Sequence, residues 1–511
     1  MRPSRKTLSA VLSIVIVGAI CISGMAAATV LAAPVPTPAT AIIIQDQTPL
    51  RAASRDSAQQ QATLWQGDAV EIRGERMDYV QVWDYRRERG GYVRASQLRR
   101  IGTAPEDAEA LMGVVRYLRE TAGSEALGIA YTAAWLQAAP AHMINGAAGA
   151  EAFDALGNFA DRLARRASGN AQLSKTAEAT LAAHLEVAGR YGIKFNSFER
   201  DGRMQICYDG EALRRVLSLP SWPEQQARAV IALTRSACIN PDLKASEALA
   251  LDEWRADVLN RVEVAGLPAY LRNRVQMRRA SVWSGLAFQY ARRDGADSRT
   301  AMAAAQRAIA ELGGISKTDL PDDDQSLYND VAMRVSASRW AAESARPLPA
   351  QNQPVLQTVA GEAGQTCLLL VDAKHDAKNP LVKRCTYGIV WLASATRNRE
   401  GNALAVAVQP LGSWRELWVA KKNSDGWAFD VLPPAAVNPD VGYVEFAGWV
   451  PGGKQVLVAR EARGDGKYKR SFEILNLEPL TTQKLASDPG LLAAFRSWQD
   501  PSWKRQTLSL R

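Results

Sequence analysis

The chain has 511 residues, too many for one hydrophobic core, so about three domains are expected. Its 47% hydrophobic and 23% charged residues are those of ordinary globular protein and exclude a disordered or fibrous chain. The net charge of +9 is mild over this length, and no Lys/Arg block with interleaved aromatics supports nucleic-acid binding.

Residues 1–32 read as an export signal. Arg2, Arg5 and Lys6 precede the apolar run Val11–Ile22, and Val30-Leu31-Ala32 offers small residues for cleavage after Ala32. An uncleaved membrane anchor is the alternative, because no charge stands between Lys6 and Asp46. Ile20 makes Cys21 a poor lipidation site. In both cases most of the chain lies beyond the inner membrane, in the periplasm or cell envelope. Residues 33–46, with Pro34, Pro36 and Pro38, read as an extended Pro/Ala-rich spacer.

From Gln47 to Ile101 short hydrophobic runs alternate with turns. Leu50-Arg51, Ala69 to Ile72, Tyr79 to Trp83 and Tyr92-Val93 are strand candidates, separated by Gln66-Gly67-Asp68, Arg73 to Arg76 and Gly90-Gly91. Leu50-Arg51, Gln66-Gly67-Asp68-Ala69-Val70 and Gly91-Tyr92-Val93 resemble the bacterial SH3 domain. The resemblance implies a small β-barrel over 47–101. It departs from the family at Ala53-Ser54-Arg55-Asp56, where a Gly-Pro-Ser-type loop usually helps to shape a ligand groove. Trp65, Tyr79, Trp83, Tyr85 and Tyr92 are candidate ligand-binding residues, since flat rings stack on sugars and pack against extended chains. The competing assignment for Trp83 and Tyr92 is barrel core.

Residues 103–345 read as an all-α domain with an inserted β-hairpin. Thr103-x-x-Glu106 and Ser221-x-x-Glu224, each with a proline inside, are capping-box signatures. Helical periodicity recurs near 124–138, 150–167, 174–190, 210–218, 221–238, 243–264, 269–293, 297–312 and 323–345. Ile193 to Phe198 and Met204 to Tyr208, around Asp201-Gly202, form the hairpin candidate. A tetratricopeptide pattern and a fixed period are both missing, which leaves a solenoid-like array and a compact bundle open.

Residues 346–354 are a proline-containing linker. From 355 to 511 the chain is β-rich, with strand candidates at Cys367–Val371, Gly388–Leu392, Ala403–Val408, Glu416–Val419, Tyr443–Phe446, Gln455–Val458 and Ser471–Leu475. Gly401 to Leu404 followed by Arg415 to Trp418 is mirrored by Gly453 to Val456 followed by Ser471 to Ile474. Trp449-Val450-Pro451-Gly452-Gly453-Lys454 resembles the blade-start turn of periplasmic β-propellers, which implies antiparallel, blade-like sheets. The fold class is therefore multidomain α+β.

With Cys21 in the signal, Cys207, Cys238, Cys367 and Cys385 allow three pairings. The local pairs Cys207–Cys238 and Cys367–Cys385 each stay within one domain; four free thiols are the alternative. A metal site is not expected, because there is no Cys-x-x-Cys and His142, His184 and His375 are the only histidines. No cofactor motif is present. No residue is assigned a catalytic role: there is no Gly-x-Ser-x-Gly, and Asp322-Asp323-Asp324 suits a helix N-terminus. The expected function is non-catalytic binding or scaffolding, with a cell-wall polymer or an envelope protein as partner. A peptidoglycan hydrolase with a carboxylate pair in the helical domain is the alternative.

Overall fold

The computed structural model describes residues 39–169, 174–200, 202–344, 353–436, 439–464 and 466–506. The expected signal or anchor lies outside them, as do residues 33–38 of the spacer and most of the 346–354 linker. The fold is mixed α+β: an N-terminal antiparallel sheet, a central helical region and C-terminal sheets.

The N-terminal sheet contains β1 (Thr40–Ile43), β2 (Thr48–Arg51), β3 (Gln60–Leu64), β4 (Ala69–Arg76), β5 (Tyr79–Asp84), β6 (Arg89–Arg94) and β7 (Leu98–Ile101), in the order β3-β2-β6-β5-β4-β1-β7. Two expectations are corrected here. The spacer does not reach residue 46, because Thr40–Ile43 is a strand. The sheet is also not a closed barrel. β1 pairs with β4 on one side (Ala41↔Val70) and with β7 on the other (Ala41↔Arg100), so β3 and β7 remain as separate edges.

Strand β1 serves two cores, because successive side chains point to opposite faces. Ala41 and Ile43 join Leu50, Leu64, Val80, Val82 and Val93 inside the sheet. Ile42, between them, packs with Leu111, Ile129, Trp135 and Phe159 of the helical region. Burying each such side chain contributes roughly 1.5–3 kcal/mol.

The helical region comprises α1 (Ala108–Arg119), α2 (Glu125–Ala138), α3 (Ala141–Ile144), α4 (Ala147–Ala167) and α5 (Lys175–Arg190), the hairpin β8 (Phe195–Arg200) and β9 (Arg203–Tyr208), then α6 (Glu211–Ser218), α7 (Pro223–Leu233), α8 (Ala245–Asn260), α9 (Ala269–Asp294), α10 (Arg299–Gly313) and α11 (Asp322–Ser338). The expected hairpin is thus present; Asp201 of its turn lies outside the described residues. Helix α7 stops at Leu233, and Cys238 follows in a separate 3-10 turn, Ser236–Cys238. Both capping contacts sit one residue later than expected. The Ala104 N–H donates to Asp107 Oδ2 at 3.0 Å, and the Trp222 N–H to Gln225 Oε1 at 2.8 Å.

Helix C-termini are closed by buried arginines. Arg255 donates twice to the Thr234 carbonyl (3.1 and 2.6 Å) and Arg278 to that of Ile231 (3.1 Å), at the end of α7. Arg279 donates to the carbonyls of Leu259 and Val262 after α8 (2.8 and 2.6 Å). Carbonyls at a helix C-terminus lack the usual i+4 partner, and a cation there also meets the dipole favourably.

The C-terminal region begins with a small sheet, β10 (Val355–Ala360), β11 (Thr366–Val371) and β12 (Val382–Thr386). Two antiparallel meanders follow: β13 (Ile389–Arg397), β14 (Ala403–Leu411), β15 (Trp414–Asn423), β16 (Gly426–Leu432), then β17 (Val441–Val450), β18 (Gln455–Gly464), β19 (Lys467–Asn476), β20 (Thr481–Ala486). They join through a short parallel pairing of β15 with β17, Trp414↔Gly442 and Arg415↔Tyr443. The repeated sequence elements fall at the starts of β14 and β18, and the turns before these strands touch. The Gly452 N–H donates to Glu400 Oε1 at 2.7 Å, and Asn402 Nδ2 to the Gly453 carbonyl at 3.3 Å. Helices α12 (Ala493–Trp498) and α13 (Pro501–Gln506) end the described chain against β17.

Two disulfides are present, Cys207–Cys238 and Cys367–Cys385. Among the described residues no helix is long and apolar enough to cross a membrane.

Candidate functional site

The five aromatic candidates do not form one cluster. Alternation along β5 sends Val80 and Val82 into the sheet core and Tyr79, Gln81 and Trp83 to the opposite face. On β6, Val93 is core, and Tyr92 and Arg94 share the face of their partners Gln81 and Tyr79. Tyr79, Trp83 and Tyr92 therefore line one face, away from the core of the sheet. Trp83 and Tyr92 are half-buried there.

Trp83 packs against Gly90, where an added Cβ would come within 3.1 Å of its ring. The Arg73 guanidinium sits 4.6 Å from the ring centroid. Tyr85 is 65% exposed at the edge of this face, and its hydroxyl donates to Glu71. That hydrogen bond, with Arg73 close by, holds the Glu71 carboxyl below the usual range.

Tyr79 is covered. The loop between β2 and β3 places Asp56 over it: Tyr79 Oη donates to Asp56 Oδ1 at 2.6 Å, and Arg94 Nε to the same oxygen at 3.0 Å. The Arg94 guanidinium also stacks on the Tyr79 ring at 5.5 Å. Asp56 is held below its ordinary value by Arg94 and then Tyr79. Trp65 stands apart. Its backbone N–H donates to Asp68 Oδ2 at 3.0 Å, opening the turn at Gly67 that packs on the helices.

That turn carries the most recognisable motif of the segment, and it is an interface. Gly67 has φ +91°, and an added Cβ would meet the Ala126 carbonyl oxygen at 2.7 Å. Tyr191 Oη donates to the Gly67 carbonyl at 2.8 Å. Asp68, 2% exposed, is paired with Arg190 of α5 and with Arg87 (3.4 Å). His184 Nε2 and Asp46 Oδ1 lie 2.8 Å apart beside it.

No family model, curated protein or solved structure matches this chain.

The hydrolase alternative needs a cleft with two carboxylates in the helical region. A cleft of about 470 Å³ bordered by α1, α4 and α7 does carry Glu151 and Glu224, with Trp222 67% exposed at its edge. Arg116 grips Glu151 through two contacts of 2.7 Å and holds its carboxyl below the usual range. A general acid requires the reverse shift. Asp154, behind the cleft, is shared by Arg119 and Arg228. Among the described residues no group of three His, Cys, Asp or Glu side chains is placed to hold a metal ion.

A second cavity, of about 330 Å³, lies between the end of the helical region and both meanders, lined by Arg339, Trp340, Glu343, Ser394, Glu445 and Asp500 among others. Its wall is a buried charge triad. Glu445 accepts from Arg339 (2.6 and 3.2 Å) and from Arg415, and all three side chains are buried. Neither charge pattern nor burial was legible in the sequence. The stacked arginines of the N-terminal face had a signal, since Arg94 follows Tyr92 at strand spacing.

Proposed function

We propose that the chain is an exported envelope protein that binds cell-wall glycan without catalysis. We also infer that residues 40–101 are an SH3-like module and that the two C-terminal meanders are blade-like. Two disulfides support an oxidising compartment outside the cytoplasm.

The carrying observation is Trp83, half-buried on the sheet face opposite the core, with the Arg73 guanidinium 4.6 Å from its ring centroid and Tyr92 on the same face. An indole face packs on the C–H faces of a sugar ring, and flanking guanidinium and tyrosine groups hydrogen-bond the hydroxyls and carboxylates of such a polymer. Tyr79 is covered by Asp56 and Trp65 stands apart from the face, so recognition falls to Trp83, Tyr85 and Tyr92.

Sedimentation with purified sacculi tests the proposal. The whole chain should be retained, and Trp83→Ala with Tyr92→Ala should lower retention at least tenfold while leaving the melting transitions in place. Undiminished retention of the double variant rejects this face as the binding surface. An envelope protein as partner predicts no retention of the parent chain.

A further inference from the structure

We infer that the Cys207–Cys238 disulfide is a thiol-exchange site, opened by an external dithiol with Cys238 leaving as the thiolate. Three features converge on this bond. The first is access. A cavity of about 350 Å³ is bounded by both cysteines and by Tyr208, Leu233 and Trp254, with Trp254 38% exposed. The second is a cation on one sulfur. Arg235 places Nη2 2.9 Å and Nε 3.2 Å from Cys238 Sγ, but Nη2 is 3.7 Å from Cys207 Sγ. The third is the wider field. Arg278 and Arg255 lie near Arg235, and Asp161, 3.3 Å from Arg235 Nη1, offsets only part of that charge.

A guanidinium in contact with sulfur stabilises the thiolate, and the thiol of lower pKa leaves faster in exchange. The asymmetry of the Arg235 contacts therefore sets the direction. The incoming thiolate bonds to Cys207 Sγ, the Cys207–Cys238 bond breaks, and its electron pair goes to Cys238 Sγ beside Arg235. The second thiol of the reductant then displaces Cys207, which takes up a proton, and the reductant departs as its own disulfide. Two electrons pass from the dithiol to the protein. The apolar walls formed by Leu233 and Trp254 suit a protein-borne dithiol whose cysteine lies among apolar residues.

The other disulfide is an internal control. Cys367 and Cys385 are cross-strand partners in β11 and β12; Cys367 is as buried as Cys207 (1% and 3% exposed), so the difference lies in the cavity and the cation at Cys238, whereas the side-chain atom facing the Cys367 sulfur is Gln365 Oε1 at 3.8 Å.

The experiment treats the folded whole chain with dithiothreitol at neutral pH, quenches by alkylation and reads each cysteine by mass spectrometry. Cys207–Cys238 should open at least tenfold faster than Cys367–Cys385. Arg235→Ala should slow that opening about fivefold, and Arg235→Lys should restore most of it. Equal rates for the two bonds, or an Arg235→Ala variant that opens as fast as the parent or faster, overturn the inference. Arg235 also holds the turn in place, so a second measurement leaves it intact. In Cys207→Ser, the pH profile of Cys238 alkylation should have its midpoint well below the ordinary thiol value of about 8.5. A midpoint at or above that value overturns the inference as well.

Discussion

Both sheet regions dock on the helical region, the N-terminal sheet on α1 to α5 and the C-terminal region on α7 to α11, by different means. The N-terminal sheet meets its helices through Ile42 of β1 and through a turn. Gly67 approaches α2, and around it Asp68–Arg190, Asp68–Arg87 and Asp46–His184 form a partly solvated rim. The C-terminal region meets its helices through buried charge: Arg339, just after α11, and Arg415 share Glu445, and Trp391 enters the core of α7 to α10. Solvated ion pairs fix orientation at small energy, whereas a buried triad collapses when one member is lost. The first arrangement leaves an outer sheet face open; the second commits its interface to the interior.

The sharpest way to break this contrast is Glu445→Ala. Two buried guanidinium groups would lose their counter-charge, at a cost of about 3–5 kcal/mol. Chemical denaturation should show the transition of the C-terminal region moving to lower denaturant, with that of the N-terminal sheet little changed. Gly67→Ala should act on the other interface. Left-handed strain alone costs about 1–3 kcal/mol, and the contact with the Ala126 carbonyl adds to it. Amide exchange in α5 and β4 should accelerate while the C-terminal strands keep their protection.

The smallest effect is pH-dependent. Burial pushes the Asp46 carboxyl up, but the hydrogen bond and charge of His184, with the Gln66 N–H, bring it below its ordinary value. A carboxyl depressed in the folded state contributes stability above its unfolded value of about 3.9, and that stability is lost as pH falls through the lower folded value. Asp46→Asn should therefore flatten the stability profile below about pH 5 and leave it nearly parallel above, by no more than about 1 kcal/mol after screening. An unchanged slope in acid would show that the rim does not couple to docking.

Helices were legible because their signals are local. Their starts were misplaced by one residue at Ala104 and Trp222 because the proline, once taken as the first helical residue, makes its predecessor the cap. Strand β1 was missed for the opposite reason: Ala41-Ile42-Ile43 follows three prolines, and its partners lie at Val70 and Arg100. The aromatic face was half legible. Alternation placed Tyr79, Trp83 and Tyr92 together, but nothing in the order of residues foretold that Asp56 would cover Tyr79. The buried triad joins residues 339, 415 and 445, each unremarkable in its own segment.

The disulfide connectivity bears on how the chain is made. The four described cysteines are bonded in consecutive pairs, across separations of 31 and 18 residues. In a polypeptide oxidised while it emerges N-terminus first, Cys207 meets Cys238 before Cys367 has appeared, and the second pair closes after the first is complete. The correct pattern is then the one that order of emergence produces, without a reshuffling step.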